Sequence, residues 1–306
     1  MTISIVIVNY HSEDLLRRLL ISIQKQHFKD FEVIIVDNSE RQRHSRLNPC
    51  VEVLARYHSN GMRISYIPNW NAGYAAGNNL GVHSSIGEAI LILNPDTTLE
   101  KDALPILANK LQSSPENVAV VVPKIIISRR NEINSIGMRR IRPSENLYTN
   151  IGYGEKDLGQ YNTSTEVEAF DGPAFLFRRK VLNHTYLFDP RFFFGAETID
   201  FSERIRRIGF KIVTCPDAIV RHDVRGTVDG SQNNYLSALI VRNSLAHTYR
   251  NTSRSMFVRT LIIGVIGRNI LGRIVTGKHP VSGRIYLHGL ILFINKFGML
   301  KNHPVR

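Results

Sequence analysis

Four short segments place the same kinds of side chain directly after an apolar run. Asn9-Tyr10-His11 follows residues 3–8, Asp37-Asn38-Ser39 follows 31–36, Asn69-Trp70-Asn71 follows 63–67, and Asn94-Pro95-Asp96-Thr97-Thr98 follows 89–93. Amides and carboxylates in such positions suit the base, ribose and phosphates of a nucleotide. Asn and Asp also open turns and cap helices, so any one exit alone says little. Asp96 is the sharpest of the set. One carboxylate at the end of a buried strand, stiffened by Pro95, can present a hard divalent cation to a diphosphate, because Mg2+ and Mn2+ take oxygen ligands and complete their shell with phosphate and water. The alternative for Asp96 is a helix cap ahead of Thr97 and Thr98.

The elements that must position these residues are legible as alternating apolar runs and amphipathic stretches. Residues 3–8, 31–36, 89–93 and 118–122 are continuous and β-branched, as expected of strands buried on both faces of a parallel sheet, with 63–67 a weaker fifth. Helices are expected at 13–26, where Leu15, Leu16, Leu19, Leu20 and Ile23 form one stripe behind Ser12, and at about 48–58, 75–85 and 101–112. This alternation predicts a doubly wound α/β sheet, whose ligands sit outside the carboxyl ends of the strands, where the four exits lie. Gly73, Gly77 and Gly81 are spaced by four, so they line one helical face and permit close approach of a ligand or a backbone. That spacing is not the dinucleotide fingerprint, and no phosphate-loop Gly-Lys-Ser/Thr motif occurs; a P-loop kinase and a dinucleotide dehydrogenase are disfavoured. Residues 128–165 are polar and read as an insertion of loops or a hairpin.

Composition supports a folded chain. With 306 residues, 43% of them apolar and 21% charged, wholesale disorder and collagen-like structure are excluded. Cys50 and Cys215 are too few for a disulfide framework or a cysteine zinc site, which points to a reducing compartment. The first eight residues carry no basic group and a run too short for a signal peptide or span, so a cytoplasmic location is expected.

Beyond the single motifs, a series of segments in fixed order carries a resemblance. It comprises Ser4-Ile-Val-Ile-Val-Asn-Tyr10, Val33-Ile-Ile-Val-Asp-Asn38, Asn71-Ala-Gly-Tyr-Ala-Ala-Gly-Asn-Asn79 and Leu91-Ile-Leu-Asn-Pro-Asp-Thr97. Then follow Phe170-Asp-Gly-Pro-Ala-Phe175, Phe188-Asp-Pro-Arg-Phe-Phe-Phe194, Glu197-Thr-Ile-Asp200 and His222. The chain resembles a family-2 glycosyltransferase of the GT-A fold, most like the bacterial rhamnosyltransferase branch. The resemblance covers about residues 2–227. It implies an inverting transfer of a sugar, rhamnose being one candidate, from a dTDP- or UDP-sugar to a hydroxyl of a glycan or lipid-linked glycan in surface polysaccharide synthesis. It implies nucleoside contacts from Asn9, Asp37 and Asn71, a donor site that also includes Gly73, Gly77 and Asn94, a Mg2+ or Mn2+ ion at Asp96 and His222, and a catalytic-base segment from Glu197 to Asp200.

Thr198 stands where that family usually carries an aspartate, so Glu197 is the first candidate for the base and Asp200 the second. Asp200 has a competing role as the partner of Arg204 one turn on. A nucleotide-sugar binding protein without transferase activity is the alternative function that Thr198 keeps open.

The charge is concentrated at the far end. The net charge is +13, no acid follows Asp229, and residues 242–306 hold 11 Lys or Arg. Residues 1–230 are therefore read as the catalytic domain and 231–306 as a basic helical extension. In residues 285–299, Tyr286, Leu290, Phe293, Ile294 and Phe297 share a helical face opposite Arg284, His288 and Asn295, a pattern suited to the anionic inner face of a cell membrane. Residues 257–275 are apolar but interrupted by three arginines and fall short of a span. Packing on the rest of the chain with arginines at the edge is the alternative. Nucleic acid is not expected as a partner, since the tail carries no recognised nucleic-acid motif.

Overall fold

A computed structural model describes residues 1–39, 62–142, 147–224, 230–262 and 283–301. The first half runs β1 (Ile3–Asn9), α1 (Glu13–Gln24), β2 (Phe31–Asp37), β3 (Ile64–Pro68), α2 (Tyr74–His83), β4 (Ala89–Leu93), β5 (Thr97–Leu99), α3 (Ala103–Ser113) and β6 (Val118–Ile127). The polar insertion carries β7 (Glu132–Ser135), β8 (Met138–Arg142) and β9 (Leu147–Asn150). Then come β10 (Glu166–Val167), β11 (Ala174–Arg178), α4 (Glu197–Arg207), β12 (Lys211–His222), α5 (Gly230–Asn251), α6 (Arg254–Ile262) and α7 (Gly283–Lys301). The helix expected at 48–58 and the apolar stretch beyond residue 262 lie outside the described residues.

The residues group into two compact units. One comprises Met1–Arg139, Thr149–Arg191 and Thr198–Arg225; the other comprises Arg140–Tyr148, Phe192–Glu197 and Gly226–Arg306. The second unit thus takes in two segments that precede residue 230.

The first unit is built on one sheet ordered β10-β12-β6-β11-β4-β1-β2-β3, with β5 against β12 and β7 against β6. Strands β4, β1, β2 and β3 are parallel neighbours, and β11 inserts antiparallel between β4 and β6. The continuous apolar runs have the burial expected of a two-sided sheet. Ile3, Ile5 and Ile7 pack with Leu16, Leu19, Leu20 and Ile23 of α1, while Val6 and Val8 join a separate cluster with Ala75 and Val82 of α2. Helix α2 lies so close to the sheet that a Cβ at Gly81 would stand 2.4 Å from Val6 Cγ1, and one at Gly77 2.9 Å from Val8 Cγ1. The approach that these two glycines permit is therefore that of the helix to β1. The insertion is tied to the sheet by the buried Lys124, whose ammonium donates to Asp157 at 2.8 Å and Asn162 at 2.7 Å.

In the second unit, Phe192, Val241, Leu245, Ala246 and Phe293 form a core flanked by Tyr249, Phe257, Leu261 and Leu290. Leu290 and Phe293, which the helical-wheel pattern assigns to an outward face, point instead into this core. Gly289 allows it: a Cβ there would meet the Ala238 carbonyl and Val241 at 2.7 Å. The outward apolar stripe of α7 is Leu287, Ile291 and Ile294. The side chains of Arg284, Tyr286 and Phe297 are not among those described. No helix among the described residues is long and apolar enough to cross a membrane.

Candidate active site

The parallel register puts Asn9 beside Asp37 and Asp37 beside Pro68, so three strand exits meet at one edge of the sheet. Their polar groups largely satisfy each other. Asn9 Nδ2 donates to Asp37 Oδ1 at 3.0 Å, Tyr66 Oη–H to Asp37 Oδ2 at 2.7 Å, and the Ser39 amide to Asp37 Oδ1 at 3.2 Å. Burial works to raise the Asp37 pKa, but the bonds from Ser39, Tyr66 and Asn9 together outweigh it and hold the carboxyl below its ordinary value. Asn69 Nδ2 donates to Asn38 Oδ1 at 2.8 Å, and Asn38 Nδ2 to the Gly73 carbonyl at 3.2 Å. Asn71 Oδ1 accepts from the Gly73 amide at 3.2 Å, where Gly73 enters α2 with φ +94°, a left-handed conformation that a glycine adopts without strain. Tyr10 and Trp70 stay exposed at these exits.

At the exit of β4 the bookkeeping is different. Asp96 Oδ1 and Asn94 Oδ1 are both shielded from solvent, and neither has a hydrogen-bond partner among the described residues. Asp96 Oδ2 lies 3.3 Å from His222 Nε2 at the end of β12, which pairs with β5 so that His222 falls opposite Thr97. His222 Nδ1 is 2.7 Å from Asn134 Oδ1, and the Asn134 amide nitrogen faces Asp171 Oδ2 at 3.5 Å, where Asn150 also donates at 2.9 Å. Because an ionised carboxylate only accepts, Asn134 turns its NH2 toward Asp171 and its carbonyl toward the histidine. The Nδ1 edge of the ring is thus held by Asn134, and Nε2 faces Asp96 Oδ2.

This donor set fits a hard divalent cation: a carboxylate oxygen without a partner, an imidazole nitrogen oriented by a second layer, and an amide oxygen nearby. No group of three His, Cys, Asp or Glu able to hold a metal occurs among the described residues. A cation here would take its remaining ligands from phosphate and water.

The two acidic candidates on α4 differ sharply. Asp200 is buried and accepts from Arg204 Nε at 2.8 Å. The same guanidinium donates to Thr185 Oγ1 at 2.6 Å and to the carbonyls of Tyr186 and Leu187, and lies 3.9 Å over the Tyr186 ring. Asp200 thus sits within an anchor that fastens α4 to residues 185–187. Glu203 pairs likewise with Arg207 at 3.1 Å. Glu197 instead is the first residue of α4 and follows Gly195 and Ala196, both with positive φ, at +88° and +70°. For alanine that conformation is strained, and such strain concentrates at functional sites.

Residues 4–185 match the family model described as glycosyl transferase family 2. The chain belongs to that family. Among curated relatives, this glycosyltransferase is 28% identical over 232 residues to the low-salt glycan biosynthesis hexosyltransferase Agl10 of Haloferax volcanii, which covers 74% of this chain and 69% of the relative. Among solved structures it is similar to GalNAc-T7 with UDP, GalNAc and Mn2+, at TM-score 0.65 and 14% identity, over 97% of this chain and 58% of the other. It is also similar to the mannosyltransferase PcManGT of Pyrobaculum calidifontis in complex with GDP-Man and Mn2+, at TM-score 0.57 and 14% identity, over 97% of this chain and 75% of the other. These likenesses establish the GT-A fold of this glycosyltransferase.

Tyr66, Asn134 and Asp171 belong to the network but escape sequence reasoning about it. Tyr66 and Asp171 lie in segments that stand out for other reasons, an alternating strand and the Phe170-Asp-Gly motif. Asn134 sits in the polar insertion, where nothing in the residue order distinguishes it from its neighbours.

Proposed function

We propose that this family-2 enzyme transfers a hexosyl group, rhamnose being one candidate, from a nucleoside-diphosphate donor to an acceptor hydroxyl with inversion. The observation that carries the reading is the pair of shielded oxygens of Asn94 and Asp96, without hydrogen-bond partners among the described residues, with Asp96 set against His222 Nε2. Asp96 and His222 would hold a Mg2+ or Mn2+ ion, which would offset the negative charge growing on the leaving diphosphate. Asp37, kept ionised, and Asn71 would hold the nucleoside; Asn9, fully buried, would act by fixing Asp37. Gly77 lets α2 approach β1 beside the Asn9 exit, and Gly73 supplies the left-handed turn into the helix. Glu197 would take the acceptor proton as the hydroxyl oxygen bonds to the anomeric carbon and the bond from that carbon to the diphosphate breaks. Asp200, tied to Arg204, would keep α4 in place.

The names of the relatives, which include UDP, GDP-Man and a glycan-biosynthesis hexosyltransferase, support a nucleoside-diphosphate-sugar donor, of which a UDP- or dTDP-sugar is our reading, and a glycan acceptor. The basic, acid-free tail and the exposed stripe Leu287, Ile291 and Ile294 support docking on the anionic inner face of a membrane, hence a lipid-linked acceptor. Thr198 keeps one other reading, a binding protein that holds a nucleotide sugar without transferring it.

A panel of nucleotide sugars with Mn2+, followed by release of nucleoside diphosphate on adding a glycan acceptor, tests the reading. Thermal stabilisation by a donor with release identifies the transferase. Stabilisation without release from any acceptor supports the binding protein. Co-sedimentation with anionic vesicles tests the docking: Leu287→Glu and Ile291→Glu should weaken it, and added salt should reduce but not abolish it.

A further inference from the structure

The segment that leads into Glu197 is held by the C-terminal helical unit. The side chain of Asn243, in the middle of α5, is fully buried and donates from Nδ2 to the carbonyls of both Phe194 and Gly195, at 2.8 Å each. Its orientation is dictated from the other side: Arg242 Nε donates to Asn243 Oδ1 at 2.7 Å, so the amide oxygen is committed to the guanidinium and the NH2 to the two carbonyls. Ile240, one turn earlier on α5, closes against Gly195, where a Cβ would stand 2.7 Å from Ile240 Cγ1. Phe192 is locked into the core with Val241, Leu245, Ala246 and Phe293, and Arg250 lies 5.9 Å over its ring. Three successive fixings, at 192, 194 and 195, therefore precede a left-handed alanine and then Glu197.

A strained backbone persists only where its surroundings over-determine it. Here the surroundings are α5 and α7. An amide that supplies both its protons to adjacent carbonyls fixes the direction of that turn, and the direction of the turn sets where the first residue of α4 points.

From this geometry we infer that Asn243 is a positioning residue for Glu197. The inference rests on Glu197 being the base. Removing the amide takes away the donor that the two carbonyls share and lets the 194–196 turn relax. Donor binding, which relies on the exits of β1, β2 and β4, is untouched.

The test is a double-mutant cycle in the full-length protein with donor, Mn2+ and a soluble acceptor. Asn243→Ala should lower kcat by about a hundredfold, the scale expected when a reacting group is misplaced by about 1 Å, with the donor KM unchanged. In a Glu197→Gln background, already slowed by loss of the base, adding Asn243→Ala should cost almost nothing further, because a residue that acts only through Glu197 has nothing left to position. Equal losses in the two backgrounds would overturn the positioning role and leave Asn243 a packing residue. A normal kcat for Asn243→Ala would overturn it too. A fully active Glu197→Gln protein would overturn the base assignment, and this inference with it. Should Asn243→Ala fail to fold, Gly195→Ala replaces it, pressing on Ile240 from within the turn without emptying the core of α5, and the same cycle decides.

Discussion

Two strand exits at the same edge of the sheet have been built to opposite specifications. At β2, the Asp37 carboxylate accepts from two side chains and an amide, and Asn38 is bonded to Asn69 and Gly73. At β4, Asn94 and Asp96 each keep a shielded oxygen with no hydrogen-bond partner among the described residues. A shielded polar atom without a partner costs about 1–3 kcal/mol, so folding alone favours the first arrangement, and the proposed cation would relieve the second. The comparison separates residues that shape a site from residues left open to a ligand.

The largest expected effect lies on the open side. Asp96→Ala should cut transfer by about a thousandfold and abolish Mn2+ binding measured by titration calorimetry, yet leave the melting temperature nearly unchanged, because Oδ1 has no hydrogen-bond partner among the described residues and Oδ2 only the 3.3 Å contact with His222. A variant that loses stability along with metal binding would place Asp96 in the closed class. Asp200 is the opposite extreme: Asp200→Ala strands a buried guanidinium and should destabilise the protein by about 3 kcal/mol in urea unfolding. Asp200→Asn should keep most of the activity at temperatures where it is folded; an inactive but stable Asp200→Asn would make it a better candidate for the base than Glu197.

A smaller effect is expected at Asp37. Asp37→Asn sets an NH2 against groups that donate, and should cost about 1–2 kcal/mol while raising the donor KM. Its pH dependence follows from the sign of the shift. The folded carboxyl titrates below the ordinary value of about 4, so its contribution is fully present above that value and is lost as the pH falls through the lower, folded one. The stability gap between the native protein and Asp37→Asn should therefore be constant near neutrality and narrow only below about pH 4. A gap that narrows already near pH 6 would mean that Asp37 is not held ionised by these bonds. The smallest effect is at Gly77. Gly77→Ala should cost about 1 kcal/mol by pressing on Val8, with the donor KM nearly unchanged if this glycine serves packing alone.

Much of this was legible in the residue order. Runs of β-branched residues after short polar loops can only be buried strands, and β1, β2 and β4 lie within a residue of where those runs end. The stripe on α1 also shows directly, because a helix repeats every 3.6 residues and its buried face must be apolar. The insertion of β11 between β4 and β6 did not show, since pairing order depends on contacts far apart in sequence. The face of α7 was misjudged for a related reason. Leu290 and Phe293 look like an outward stripe only when the helix is considered alone; a glycine at 289 brings it onto Ala238 and Val241, and the buried side follows from that partner.

The sequence by itself determined the kinds of group available at the strand exits and the family to which they belong, because strand ends and residue types are local properties. Only the tertiary structure decided which of those groups are spent on each other and which remain open. Asp37 and Asp96 are both aspartates placed after an apolar strand; Tyr66 and Asn9 close one, while Asn134, through His222, prepares the other. On α4, Arg204 engages Asp200, and Asn243, from a helix almost fifty residues later, secures the turn before Glu197. Whether a carboxylate is anchored or available depends on which donors lie within about 3 Å of it, and that distance is set by the packing of segments the chain order keeps apart.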